Sequence, residues 1–133
     1  MGGSRPVWRP VVRVMVIGAS SDRAKFGNKA VRAYAALGHE VVPINPKGGR
    51  IEGVPVVGSI GEAEGPFDLA SLYLPAEPGL EAVRALAERG DVAELWLNPG
   101  ADDPRVVEAA EQVGLRVVQA CSIMAVGPMP SDG

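Results

Sequence analysis

VVRVMVIGASSDRAKFGN, residues 11–28, is the stretch on which the fold turns. Residues 11–17 are apolar apart from Arg13 and rich in β-branched side chains, which favour extended backbone. A run with no polar face predicts a central strand covered on both sides, as in a parallel sheet, rather than the in–out alternation of a half-solvated antiparallel strand. Gly18 ends the run. A short polar loop then leads into a helix on which Ala30, Val31, Tyr34 and Leu37 share a face, with Gly38 as its stop.

The same unit recurs along the chain. EVVPINPK (40–47) predicts a second strand, placed at an edge or bent because Pro43 lacks a ladder donor. Residues 48–65 are rich in turn formers and suggest an excursion with one short strand at 54–57. FDLASLYL (67–74) is a third strand. Pro75, Ala76, Glu77 and Pro78 open a helix running to about Arg89, with Leu80, Val83, Leu86 and Ala87 facing inward. VAELWLN (92–98) is a fourth strand, and LRVVQA (115–120) a fifth. Between them lies a helix over 104–114, with Val106, Val107, Ala110 and Val113 inward. Asp102 and Asp103 sit as an N-cap pair before Pro104, a residue favoured at the first helical position. Alternating strands and helices of these lengths predict a doubly wound, three-layer α/β domain with a parallel five-stranded sheet. The expected organisation is an N-terminal flexible arm at 1–10, one domain over 11–126 and a tail at 127–133.

Composition narrows the function. With 133 residues, 47% hydrophobic and 22% charged, the chain has room for one self-sufficient core. The net charge of −3 and an aromatic content of 5% argue against a nucleic-acid binder, which needs a basic stripe and stacking side chains. No apolar run approaches the ~18 residues of a membrane span, and no leader peptide is visible, so a cytoplasmic protein is expected. One cysteine and one histidine cannot make an internal disulfide or a structural zinc site.

In open α/β sheets the ligand crevice lies beyond the C-terminal ends of the strands, where the strand order reverses. The segments after the predicted strands are Gly18-Ala19-Ser20-Ser21, Asn45-Pro46-Lys47, Leu74-Pro75-Ala76, Asn98-Pro99-Gly100 and Ala120-Cys121-Ser122. They are small or polar, with almost no carboxylate before Asp102, which suits backbone donors approaching a phosphate-bearing ligand. The first loop reads either as a phosphate-binding turn or as a plain capped βα turn. It is not the dinucleotide fingerprint G-x-G-x-x-G, because the second glycine is missing. Strand two ends in Asn45-Pro46-Lys47 where NAD-binding sheets carry an acid for the ribose diol. A lysine there suits a phosphorylated ribose, unless it is simply solvated.

The G-A-S-S at 18–21, N-P-K at 45–47, Y-L-P-A at 73–76 and C-S-I-M at 121–124 together resemble the small CoA-binding proteins. These are stand-alone versions of the CoA-binding domain of succinyl-CoA synthetase alpha subunits and acyl-CoA synthetases. The resemblance spans roughly residues 11–126 and implies a Rossmann-like sheet. It implies that Gly18, Ala19, Ser20 and Ser21 wrap the pyrophosphate and that Lys47 meets phosphate of the ADP moiety. Arg23 or Lys25 would join Lys47 at the 3′-phosphate, and Phe26 completes the first-loop candidates. Leu74, Pro75 and Ala76 would flank the adenine or pantetheine. Asn98, Pro99 and Gly100, with Asn45 and Pro46, would line the cleft. One departure is Gln119-Ala120 before Cys121, where relatives often carry a charged residue.

No catalytic constellation can be assembled. His39 falls at the helix-to-strand turn on the edge of the sheet away from the crevice, where a solvated loop histidine is expected. Cys121 falls on the crevice side, either as a small buried residue or as a thiol that could pair with the ligand. Enzymes of the family add a nucleotide-using domain and, in the synthetases, a phosphorylated histidine. The expectation is therefore non-catalytic binding of coenzyme A or an acyl-CoA. The alternatives are an NADP-binding oxidoreductase domain or subunit, and a CoA-sensing regulatory or scaffold subunit with a partner enzyme or a second copy of itself.

Overall fold

The computed structural model describes residues 11–121; the expected arm at 1–10, the tail at 127–133 and residues 122–126 between lie outside the described residues. Strand β1 (Arg13–Ile17) lies between β2 (Glu40–Ile44) and β5 (Phe67–Leu72), followed outward by β6 (Val92–Leu97) and β7 (Val117–Gln119). All four pairings in this five-stranded sheet are parallel, and Val14 faces Val41 on one side and Leu69 on the other. The order β2-β1-β5-β6-β7 means that the chain moves outward from β1, then returns across it. That is the doubly wound, Rossmann-like topology, with its switch point between β1 and β5.

The continuous apolar run of β1 serves both faces, since successive side chains point to opposite sides of a strand. Val14 and Val16 pack with Ala30, Val31, Ala33 and Tyr34 of helix α1 (Phe26–Ala36). Met15 and Ile17 join the larger cluster with Val83 and Leu86 of α2 (Ala76–Arg89) and Val106 and Ala110 of α3 (Pro104–Gln112). Tyr34, Met15, Leu72, Leu86, Leu95 and Leu97 are fully buried, each contributing roughly 1.5–3 kcal/mol through area removed from water.

Pro43 is accommodated as its chemistry requires. β2 is the edge strand of the main sheet, and the Pro43 carbonyl accepts from Val57 N–H at 2.9 Å on the side away from β1. A residue's N–H and C=O leave a strand on the same side, so the missing donor also faces outward and the ladder to β1 is intact. The excursion at 48–65 forms a small antiparallel hairpin, β3 (Arg50–Ile51) and β4 (Val54–Pro55), and a 3-10 turn at Ile60–Glu62.

Three expectations are corrected. The buried stripe of α2 is Gly79, Ala82, Val83 and Leu86, while Leu80 packs at its margin and Ala87 is only half-buried. Leu37 is half-buried and Val113 is 49% exposed, because each lies at the cap of its helix, where the stripe has run past the sheet. His39 is not solvated: it is buried, its Nδ1 accepts from Val12 N–H at 3.1 Å, and its ring meets Tyr34 edge-on. Its position at the N-terminal edge of the sheet, away from the crevice, is as expected.

Candidate functional site

At the crevice edge a cleft of about 940 Å³ opens at the β1/β5 switch point. One end is formed by Gly18, Ala19, Ser20, Lys25, Phe26 and Gly27, the turn after β1 and the start of α1. Asn45 and Pro46 after β2 form a side wall. Adjoining it is an apolar trough of Ile60, Leu74, Pro75, Ala82 and Ala85, with Glu81 also on the lining.

Two glycines make the first end possible. Gly18 has φ +92°, a left-handed conformation open to glycine. A Cβ on it would lie 3.1–3.2 Å from Leu74 Cδ2 and the Tyr73 carbonyl, so β1 and β5 end in close contact. A Cβ on Gly27 would fall 2.2 Å from the Gly18 carbonyl oxygen. Bare backbone at Gly27 thus lets the first turn of α1 sit directly on the end of β1. The glycines that the dinucleotide fingerprint places in a few residues are here split between positions 18 and 27, with a longer loop between them.

The loop is held from behind by neutral amides. Asn45 Nδ2 donates to the Ala19 carbonyl and Asn28 Nδ2 to the Ser20 carbonyl, each at 2.9 Å. In a trans peptide the N–H points opposite to the C=O, so tethering these carbonyls turns the following N–H groups to the other side of the loop. Within the loop, Ser20 Oγ accepts from Asp22 N–H and Asp22 Oδ1 from Ala24 N–H, both at 3.0 Å. Lys25 is the N-cap of α1 with no side-chain cap bond, and the first turn carries no acid. The helix therefore presents its positive end and uncapped N–H groups at this end of the cleft.

Of the expected ligand residues, the structure brings Gly18, Ala19, Ser20, Lys25, Phe26, Asn45, Pro46, Leu74, Pro75, Pro99 and Gly100 onto one cleft. Ser21, Arg23, Lys47, Ala76, Asn98 and Cys121 are not among its lining residues. Lys47 is exposed on a turn closed by Gly48 N–H to the Asn45 carbonyl, so the amine on the lining is Lys25 instead. Arg23 pairs with Glu52 at 3.3 Å. Asn98 is buried and donates to Ser71 Oγ and the Leu72 carbonyl at 2.8 and 2.9 Å, a tether between the ends of β5 and β6. Cys121 is half-buried against the α1-side core. Asp103 alone caps α3, accepting from Arg105 N–H at 2.8 Å, while Asp102 is exposed.

The sequence reading missed the segment Gly58–Gly61, which walls the trough, and Pro78, Glu81, Ala82 and Ala85 of α2. Ala82 belongs to the buried stripe of α2, and Pro78, Glu81 and Ala85 lie three or four residues from it or from one another, a signal available in the sequence. The approach of residues 58–61 is not: it depends on Arg89, whose guanidinium donates to the Ile60 carbonyl at 2.5 Å and to both carboxylate oxygens of Asp91. Among the described residues, no group of three or more His, Cys, Asp or Glu is placed to hold a metal. Nor is any helix among them long and apolar enough to cross a membrane.

Known proteins resemble this chain along most of its length. An uncharacterized protein of Bacillus subtilis, YneT, is 24% identical over 106 residues, covering 80% of this chain and 78% of that protein. The alpha subunit of ADP-forming acetate–CoA ligase II from Pyrococcus furiosus is 26% identical over 115 residues, covering 79% of this chain and a quarter (25%) of that subunit. Among solved structures, a conserved hypothetical protein from Pyrococcus furiosus superposes with a TM-score of 0.77 at 26% identity, covering 86% and 98% of the two chains. Acetyl-coenzyme A synthetase 1 of Ca. Korarchaeum cryptofilum superposes at 0.71 over 85% of this chain and 26% of its own, with 22% identity, and so shares the fold. The sequence profile of the CoA binding domain matches residues 12–128, nearly the whole chain. By that match, across the strand ends that build the cleft, the chain belongs to the CoA binding domain family.

Proposed function

We propose that the chain binds coenzyme A or an acyl-CoA in this cleft as a cytoplasmic binding protein and catalyses no reaction by itself. One observation carries the reading: a single cleft joins an uncapped helix start and glycine turn to an apolar trough. A nucleotide thiol carrier has that polarity, anionic along its phosphates and apolar at its adenine face and pantetheine arm. Gly18, Ala19, Ser20 and the first turn of α1 would hold the phosphates, with Lys25 as the cation. Leu74, Pro75, Ile60, Ala82 and Ala85 would take the apolar parts, and Pro99 and Gly100 the far wall. At about 940 Å³ the cleft is of the size that ordinary cofactors occupy. Against catalysis stands the position of His39, buried at the opposite edge of the sheet. The similarity to one quarter of an acetate–CoA ligase subunit fits a role in which any chemistry resides on a partner chain.

Calorimetric titration with CoA, dephospho-CoA, NADP and NAD tests the reading. CoA should bind tightest. Dephospho-CoA should bind roughly tenfold more weakly, since a hydrogen bond to a charged group contributes about 1.5–3 kcal/mol. Tighter binding of NADP, or no binding of CoA, would overturn it.

A further inference from the structure

Glu52 is the one non-glycine residue at positive φ among the described residues, at +52°. It occupies the tip of the β3–β4 hairpin, where Ile51 pairs with Val54 and the two turn residues, Glu52 and Gly53, both have positive φ. Such a turn selects Asn, Asp or Gly at its first central position, because Cβ crowds the following carbonyl oxygen there and only a short polar side chain offsets this by bonding locally. A glutamate is thus an expensive choice, and strain of this kind persists where surrounding contacts demand it.

The contact that demands it lies 24 residues away. Glu52 Oε2 accepts from Asn28 Nδ2 at 3.0 Å and pairs with Arg23 Nε at 3.3 Å. Asn28 is completely buried, and its amide is fully used. One N–H goes to Glu52, the other to the Ser20 carbonyl, and Oδ1 accepts from Arg32 Nε at 2.8 Å. Arg32 in turn donates to the Arg23 carbonyl at 2.9 Å. The ligand loop is therefore gripped at Ser20 by the Asn28 amide and at Arg23 by Arg32 and Glu52. The amide is oriented by Arg32 on its oxygen and by a carboxylate from a different element on its nitrogen. Asparagine has two equivalent orientations in shape but not in hydrogen bonding; the Glu52 acceptor and the Arg32 donor together select the one that turns an N–H, and not the oxygen, toward Ser20.

We infer that Glu52 is a positioning residue: through Asn28 it presets the 19–25 loop for an anionic ligand, and the hairpin exists in part to deliver it. This rests on the binding reading above and adds to it a residue outside the cleft that sets affinity. The arrangement runs against simple electrostatics, since a carboxylate near an anion site opposes binding, so its benefit must come through order in the loop.

Two variants separate positioning from plain stability. Glu52→Gly relieves the turn and removes the acceptor. Its Tm should stay close to that of the parent, relief of the turn offsetting the acceptor lost to the buried Asn28 amide, while its Kd for CoA rises roughly tenfold, the penalty of re-ordering about one backbone residue on binding. Glu52→Gln keeps an acceptor at the same reach and should restore most of the affinity. Hydrogen exchange of residues 19–25 in the ligand-free protein should speed up in Glu52→Gly and stay near the parent in Glu52→Gln. Unchanged CoA affinity in Glu52→Gly would overturn the inference. So would a loss of affinity that merely follows a lower Tm in both variants. If the parent itself fails to bind CoA, the binding reading falls separately; the inference then fails if loop exchange is unchanged in Glu52→Gly and stands as a loop-ordering device if it accelerates.

Discussion

Helices α1 and α3 both begin at the crevice edge of the sheet, yet their first turns are finished in opposite ways. α3 is closed: Asp103 caps its N–H groups, Pro104 fills the first helical position, and Arg105 folds back on the cap at 3.2 Å. α1 is open: a lysine stands at the cap, no side chain bonds the first turn, and the nearest backbone is the Gly18 carbonyl under Gly27. A carboxylate cap is the ordinary way to satisfy a helix start, and it occupies the place an external anion would take. On the proposed reading, the contrast marks where the chain forgoes local stability for binding. Around α1 the polar tethers are uncharged amides of Asn28 and Asn45 acting on carbonyls. Full charges are paired behind the Asn28 amide, where Glu52 meets Arg23 at 3.3 Å, and at the opposite edge, as in Arg13 with Glu40 at 3.2 Å and Arg89 with Asp91 at 2.6 Å.

The harshest way to break the comparison is Gly27→Ala. The new Cβ would meet backbone, not a flexible side chain, at 2.2 Å, so α1 must lift from the end of β1. We expect a loss of about 3 kcal/mol, the upper part of the overpacking range, together with loss of CoA binding. Chemical denaturation and calorimetry measure both. A variant that folds and binds as the parent does would show that α1 does not depend on this approach.

Position 27 also marks where the sequence stops being readable. The five main strands and three helices are legible because β-branched runs, helical spacing and Gly or Pro punctuation are local signals. The edge position of β2 follows from Pro43 alone. The cleft end at Gly18–Ser20 is legible too, since the turn after the first strand of a doubly wound sheet is a ligand position by topology. Glycine 27, by contrast, sits inside a helical pattern and gives no sign that it touches Gly18. Lys47 occupies the right strand end, yet its turn leaves it off the lining, while Lys25, a secondary candidate at the cap of α1, joins it. His39 between Gly38 and Glu40 looks like a surface turn, and only the distant Val12 N–H makes it a buried acceptor. In each case a contact between residues far apart in sequence decides, and no periodicity encodes it.

A gentler change makes α1 resemble α3. Lys25→Asp places a carboxylate where the backbone already has cap geometry, φ −86° and ψ 149°. Capping should raise stability by about 1 kcal/mol, while the exchange of a cation for an anion should weaken CoA binding roughly tenfold or more. Stability and affinity moving in opposite directions is the outcome that supports an open helix start as the anion site. If affinity is unchanged, the phosphates lie elsewhere in the cleft.

The smallest effect lies at the closed helix and appears only in acid. Hydrogen bonds from the Arg105 side chain, then from its backbone N–H, hold the Asp103 carboxyl below its ordinary value of 3.8. Arg89 does the same for Asp91, first through its hydrogen bond to the carboxylate. A carboxyl whose folded value is depressed contributes stability that is fully present above the unfolded value and is lost as pH falls through the folded one. Below about pH 4 the unfolded chain therefore takes up more protons than the native one, and Tm should decline. Asp103→Asn keeps a good cap but no longer titrates. Its Tm at pH 7 should match the parent closely, since exposed ion pairs such as Asp103–Arg105 contribute little, while its decline between about pH 4 and pH 2 should be shallower. An acid limb identical to that of the parent would mean that the cap acts on α3 only as a hydrogen-bond acceptor, with its charge irrelevant. Lys25→Asp should steepen the same limb, because the new carboxylate would be held low by the α1 N-terminus, so the two variants displace the acid profile in opposite directions.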